Sequence, residues 1–287
     1  MKRSATLAIV VALTAAATIS AQVQTPTFSS KVEVVRVDVL VTDDGKPLRG
    51  LKAADFEVFD NGVRQTVDLV SFEQLPLNVV FTFDLSSSIF GERLDNLREA
   101  SRTVLDGLKA GDQAALVMFN TAVLVGPGLT ASAGLVQSAI DRAQPAGDTS
   151  LVDASFAGMM VAESDAGRGL VIVFSDGLDT SSWLSPKAVL DVAKRSDAVV
   201  YAVSAGLASR AEFLRDLTDQ TGGRLFKIES TRSLSDVFLT VLDEFRQRYL
   251  LSFSPAGVSH EGWHELTVRV KGRRAVVKAR PGYLAGQ

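Results

Sequence analysis

The chain has 287 residues, a formal net charge of −3 and 46% hydrophobic residues. That is enough apolar material for one large domain or two modest ones, and the near-neutral balance lacks the strongly basic character of a nucleic-acid binder. There is no cysteine, so disulfides, thiolate zinc sites and a lipoprotein-type export signal, which needs a Cys to acylate, are all excluded.

Lys2 and Arg3 are followed by an apolar run from Ala5 to Ile19 and then Ser20-Ala21-Gln22. This is the layout of a secretory signal peptide over residues 1–21. The run is too short for a comfortable membrane span. An uncleaved anchor and a cut after Ser20 stand as alternatives to cleavage near Ala21. Residues 22–30, rich in Gln, Thr, Ser and Pro, read as a linker.

Residues 31–75 read as β structure. Val35 to Val39 alternates, with Arg36 and Asp38 on the polar face, as in a half-buried strand. Phe56-Glu57-Val58-Phe59 and Val67-Asp68-Leu69-Val70 alternate across Asp60-Asn61-Gly62, a hairpin signal.

From residue 76 to 246 strands and helices alternate. Val79 to Phe83 and Leu170 to Phe174 are apolar runs of buried-strand type, and Leu94, Leu97, Val104, Leu105 and Leu108 follow helical spacing. Further helices are predicted around Leu135–Ile140, Leu151–Met160, Ser185–Ala193, Phe213–Leu217 and Leu234–Phe245. The Met159-Met160 pair reads as core filling. Such units imply a doubly wound, mostly parallel α/β sheet with helices on both faces. Ligands of such sheets bind beyond the carboxyl ends of the strands.

The first apolar run ends in Asp84-Leu85-Ser86-Ser87-Ser88, a carboxylate and two hydroxyls at alternate positions. These are hard oxygen donors suited to a small divalent cation; on its own the motif reads first as a polar loop with Ser capping the next helix. Gly147-Asp148-Thr149-Ser150 and Ser175-Asp176-Gly177 come later. At these positions the chain resembles the von Willebrand factor type A (VWA) domain with its metal-ion-dependent adhesion site, MIDAS. The resemblance implies a metal site of Asp84, Ser86, Ser88, Thr149 and Asp176. It implies Mg²⁺ as the cation, with Mn²⁺ or Ca²⁺ as alternatives. An open position would be completed by an Asp or Glu carboxylate of a protein partner. Asp148 departs from the family pattern, where a second Gly is common, and adds a carboxylate beside the site.

Residues 247–287 return to β structure, with Tyr249–Phe253, Leu266–Lys271 and Ala275–Ala279 as strands and a turn at Gly272. Segments 31–75 and 247–287 are each too small to stand alone. Together they are expected to form one β-sandwich around the inserted α/β domain. Gly50-Leu51-x-x-x-Asp55-Phe56-Glu57-Val58 and Arg280-Pro281-Gly282-Tyr283 resemble the flanks of bacterial "VWFA-related" proteins.

Three features have plainer readings. His260-Glu261-Gly262-Trp263-His264 matches H-E-x-x-H, yet Pro255 and Gly257 upstream and the strand pattern after Glu265 oppose the helix that zinc motif needs; His264 reads as a strand residue. Arg269, Lys271, Arg273, Arg274, Lys278 and Arg280 read as the solvent face of a hairpin, with an anionic surface partner as the alternative. Ser86 and Ser88 lack a nearby His and a nucleophile elbow.

The expected protein is thus exported, secreted or in the cell envelope. It binds protein through a divalent cation, without catalysis, nucleic acid or stable membrane insertion after signal cleavage. A metal-assisted hydrolase using Asp148 or Asp179 as base, and a structural envelope component with a stabilising cation, are the alternatives. Nothing in the residues sets an oligomeric state.

Overall fold

Valines at 35, 37, 39 and 41 give the first strand, β1 (Val35–Asp43), one buried apolar face, as a period of two requires. The computed structural model describes residues 34–70, 75–176, 178–205 and 211–286, all within one compact unit. The signal-type segment 1–21, the linker 22–30 and Gly177 lie outside the described residues. After β1 come β2 (Lys46–Pro47), β3 (Phe56–Asp60), β4 (Val63–Gln65) and β5 (Asp68–Val70).

The Asn61-Gly62 turn has φ of 46° and 80°, the two left-handed residues of a tight hairpin turn. It returns the chain at once, pairing Asp60 with Val63 in β4. The hairpin expected between 56–59 and 67–70 is therefore corrected. Residues 68–70 instead pair in a different sheet, opposite residues 250–252. The two-residue turn leaves no slack for a later return strand.

The α/β region contains β6 (Leu77–Asp84), α1 (Glu92–Asp106), β7 (Gln113–Phe119), β8 (Val123–Val125), α2 (Ala133–Asp141) and α3 (Leu151–Ala162). It continues with β9 (Arg168–Ser175), α4 (Pro186–Ala193), β10 (Val199–Ser204), α5 (Glu212–Gln220), β11 (Leu225–Lys227) and α6 (Leu234–Arg246). The sheet order is β11-β10-β9-β6-β7-β8. All neighbours are parallel except the β7–β8 pair. Every residue of β6, β9 and β10 is buried, as expected of parallel strands covered on both faces. Phe81, Phe83 and Ile172 pack on one face with Leu97, Phe238 and Phe245; Val80, Val171 and Val200 pack on the other with Met159, Val189 and Leu214. Met159 fills that core as expected, but Met160 is exposed, because α3 turns it away from the sheet.

The chain ends with β12 (Tyr249–Phe253), β13 (Gly262–Val270), β14 (Val276–Lys278) and β15 (Gly282–Ala285). One antiparallel sheet runs β14-β1-β12-β5 with β2 beside β1; the other runs β15-β13-β3-β4. Val37, Val39, Leu251 and Phe253 of the first share one apolar cluster with Phe56, Val58, Leu266 and Tyr283 of the second. The expected return of 275–279 onto 266–271 is also corrected. Both neighbours of β13 are already taken by β3 and β15, and β14 adds to β1.

His264 is a strand residue, and it is wholly buried. Its Nδ1 lies 2.7 Å from Asp60 Oδ1, while the Tyr283 hydroxyl donates to Asp60 Oδ2 at 2.7 Å. Buried polar groups without partners are costly. Tyr283→Phe, which removes the hydroxyl and keeps the ring, is expected to cost about 1–3 kcal/mol. Urea unfolding measures it; an unchanged midpoint would show that Asp60 does not depend on this donor.

Three buried arginines join the parallel sheet to the antiparallel ones. Arg168, at the start of β9, pairs with Asp38 of β1, and its Nη2 also donates to the Phe245 and Arg248 carbonyls at 3.4 Å. Arg248, wholly buried between α6 and β12, donates to the Tyr201 hydroxyl at 3.0 Å and to the Gly222 carbonyl at 2.6 Å; it also reaches the Asp38 carbonyl at 3.1 Å. Arg280 donates to the Ser196 and Arg36 carbonyls and to Asp197. Its place in a solvent-facing basic hairpin is thereby corrected: Arg280 is buried, with acceptors from both sheet regions around its guanidinium.

Candidate functional site

Strands β6 and β9 are neighbours in register, Phe83 opposite Phe174, so the chain leaves both at the same edge of the sheet. Asp84 is the last residue of β6 and fully buried. Its Oδ1 accepts the Ser86 backbone N–H at 2.8 Å and its Oδ2 accepts the Ser175 hydroxyl at 2.7 Å. Burial pushes the Asp84 carboxyl above its ordinary pKa; the Ser86 and Ser175 hydrogen bonds oppose this, and the nearby Asp176 charge adds to it. Among the described residues no Lys or Arg forms an ion pair with Asp84.

The loop after Asp84 folds back on itself. The Ser86 and Ser88 hydroxyls stand 3.1 Å apart, and Ile89 N–H donates to the Ser86 carbonyl at 3.0 Å. Ile89 is itself buried, so its side chain anchors the loop that carries the two hydroxyls. The neighbouring loop is tied on through Ser87, whose N–H and hydroxyl both donate to the Gly147 carbonyl, at 3.1 and 3.0 Å. Gly147 has φ +72°, and a Cβ there would stand 2.4 Å from Thr121 Oγ1. Glycine thus permits the turn that delivers Thr149. Thr149 is buried, its N–H donates to Thr180 Oγ1 at 2.9 Å, and its carbonyl accepts Thr180 N–H at 2.8 Å.

Asp176 follows β9 and is half-buried, its Oδ1 accepting Leu178 N–H at 3.4 Å. The structure brings Asp84, Ser86 and Ser88 into one hydrogen-bonded group. It sets Asp176 close enough to act on the Asp84 charge, and carries Thr149 on the loop held by Ser87. Ser175, Ser87, Thr121 and Thr180 support this arrangement and were not singled out from the sequence; only hydroxyls flanking the motif marked them.

Asp148 is exposed, and its N–H donates to Thr121 Oγ1 at 2.9 Å. Asp179 Oδ1 accepts from the Ser182 hydroxyl at 2.6 Å and Val152 N–H at 3.2 Å. Asp179 therefore caps α3, where a carboxylate is favourable. Among the described residues no group of three or more His, Cys, Asp or Glu is arranged to hold a metal. The donor set fits a hard cation on other grounds. It consists only of oxygens, and it contains a buried carboxylate beside a second carboxylate with no basic partner, which a divalent ion would neutralise.

The von Willebrand factor type A domain model matches residues 78–240. The chain is 26% identical over 200 residues to inter-alpha-trypsin inhibitor heavy chain H2 of Mus musculus, covering 64% of this chain and 21% of that protein. It is 26% identical over 223 residues to heavy chain H4 of Homo sapiens, covering 71% of this chain and 24% of that one. The chain thus spans about a fifth to a quarter of the length of these relatives. Among solved structures, a von Willebrand factor type A protein from Catenulispora acidiphila superposes with a TM-score of 0.53 at 14% identity, covering 85% of this chain and 76% of that one. The vWF domain of the type V pili tip protein Mfa5 from Porphyromonas gingivalis gives 0.50 at 14% identity, covering 59% and 94%. With more than half of its residues inside the family model, the chain belongs to the von Willebrand factor type A domain family.

Proposed function

We propose that this chain is an exported protein-binding module. In this reading a divalent cation, Mg²⁺ first and Mn²⁺ or Ca²⁺ as alternatives, sits among Asp84, Ser86, Ser88, Thr149 and Asp176. VWA domains are typically interaction or adhesion modules, and one fold relative is a pili tip protein. The observation that carries the reading is the buried, uncompensated Asp84 carboxylate facing converging hydroxyls at the strand ends. Mg²⁺ keeps near-octahedral coordination and retains waters. A partner's Asp or Glu carboxylate would replace one of them and link the two proteins. Export is supported by the N-terminal sequence pattern, and among the described residues no helix is long and apolar enough to cross a membrane.

Asp84→Asn removes the charge and keeps the shape. The wild-type chain is expected to gain about 2.7 kcal/mol of stability when Mg²⁺ reaches a hundred times its dissociation constant. The variant is expected to gain nothing while keeping its fold, since no ion pair is broken. Calorimetric titration with Mg²⁺ and thermal unfolding measure both. Equal Mg²⁺ affinity in the two proteins would remove Asp84 from the site.

A further inference from the structure

Two large aromatic side chains stand in solvent at the donor end of the parallel sheet. Trp183 is 95% exposed and Phe90 is 71% exposed. Phe90 lies two residues past Ser88, and Trp183 lies in the loop that leaves Asp176. Leu178 and Leu184 of that loop are exposed as well. The loop that carries Ser86 and Ser88 and the loop that leaves Asp176 thus each carry bare apolar surface.

One exposed apolar side chain is ordinary; the backbone beneath Trp183 is not. Ser181 N–H donates to the Thr149 carbonyl at 3.1 Å. Ser182 Oγ accepts the N–H groups of Val152 and Asp153, each at 3.1 Å. The N–H groups of Trp183 and Leu184 donate to the two oxygens of the Asp153 carboxylate, each at 2.9 Å. The helix start that presents Thr149 thus also holds the segment that presents Trp183. With the backbone pinned, only the two χ angles of the indole remain to be ordered when a partner covers it, and Trp is enriched among the residues that dominate binding energy.

The charges at this end select among partners. Stretches 85–91, 120–122, 144–150 and 176–185 contain no Lys or Arg. Arg93, from the start of α1, reaches the Ser88 carbonyl at 3.4 Å. Asp148 is exposed with no side-chain partner among the described residues. A polyanion needs repeated basic contacts, which these loops lack. A single carboxylate carried on an apolar segment is complementary: its charge suits the cation, and its neighbours suit the aromatic side chains.

We propose that Phe90 and Trp183 flank the cation site as apolar anchors. The peptide segment they dock carries its acidic residue beside bulky aliphatic or aromatic side chains. This rests on the cation-dependent reading above and adds the character of the partner to it.

The test pans the full chain against displayed peptides with one fixed Glu and randomised flanks, in Mg²⁺ and in EDTA. Leu, Ile, Phe, Tyr and Trp are expected to be enriched around the Glu in Mg²⁺ alone. Trp183→Ala is expected to weaken the selected peptides by at least about tenfold, and Phe90→Ala several-fold. Both side chains are largely in solvent, so the variants keep the wild-type unfolding midpoint. Suppose the Glu and Asp84 prove necessary, but the flanks show no apolar enrichment or Trp183→Ala binds within about twofold of wild type. Then the rim assignment falls and the cation reading stands. If no peptide binds in a Mg²⁺-dependent way, the cation reading falls and takes the rim with it. Tighter binding of heparin than of any peptide would also overturn the proposal.

Discussion

Asp38→Ala is expected to destabilise the chain by about 3–5 kcal/mol, the cost of breaking one side of a buried ion pair. Its partner, the Arg168 side chain, is 3% exposed, and the Asp38 side chain is 9% exposed. Without the carboxylate, the guanidinium keeps, among the described residues, hydrogen bonds to the Phe245 and Arg248 carbonyls, both at 3.4 Å, and its place over the Phe245 ring, 4.7 Å from the centroid. Its Nε has no partner among the described residues even in the intact protein. A buried cation in that position cannot recover its hydration. Urea unfolding of Asp38→Ala should show a lower midpoint with an unchanged slope. Replacing both residues, as Asp38→Leu with Arg168→Leu, should cost less than the single change, because no charge is then stranded. A single-variant loss below about 1 kcal/mol would place this pair with the weak surface ion pairs.

Ending the chain after Arg248 should have a more localised effect. Strand β1 has β12 on one side and β14 on the other, and both lie beyond the cut. The truncated chain would leave β1 with β2 alone, two residues long. It would also strip Leu251, Phe253, Leu266 and Tyr283 from the apolar cluster that covers Val37 and Val39. Hydrogen exchange over Val35–Val41 is expected to speed up by about a thousandfold or more, equivalent to roughly 4 kcal/mol of lost protection. Amides of β6 and β9 should remain protected, since their partners all precede the cut. Equal protection of β1 in the full and truncated chains would mean that the N-terminal strands hold together unaided.

The parallel sheet was legible because its signal is local. β6 and β9 are continuous apolar runs, and the helices between them carry apolar residues at helical spacing. The candidate oxygen-bearing residues drew notice because three of them fall within five residues and the others close recognisable strand or loop patterns. What stayed hidden has no period. Gln65 ends its strand by exchanging side-chain hydrogen bonds with Ala256, so a distant residue settles where β4 stops. Arg280 reads as a surface cation, and nothing local marks Arg168 or Arg248, until the carbonyls that receive them are in place. Asp60, His264 and Tyr283 come from three separate strands. Ser175 reads as the end of an apolar run, and only the neighbouring strand shows that its hydroxyl serves Asp84.

The placement of β1 has a consequence for how the molecule is made. Val35 faces Phe253 and Thr42 faces Val276, so the first strand to be synthesised waits for almost the whole chain before either long edge is covered. The parallel sheet between them can assemble from its own segment, with Val79, Ile172 and Val199 already inside one cluster. The order of folding is thus the reverse of the order of synthesis at the N-terminus. The parallel sheet is expected to form first, and its formation would bring Arg248 and β12 to the point where β1 can dock. Loop closure over so long a separation is slow. Until it occurs, the unpaired backbone edges of β1 can pair with other chains, with its valine face bare beside them.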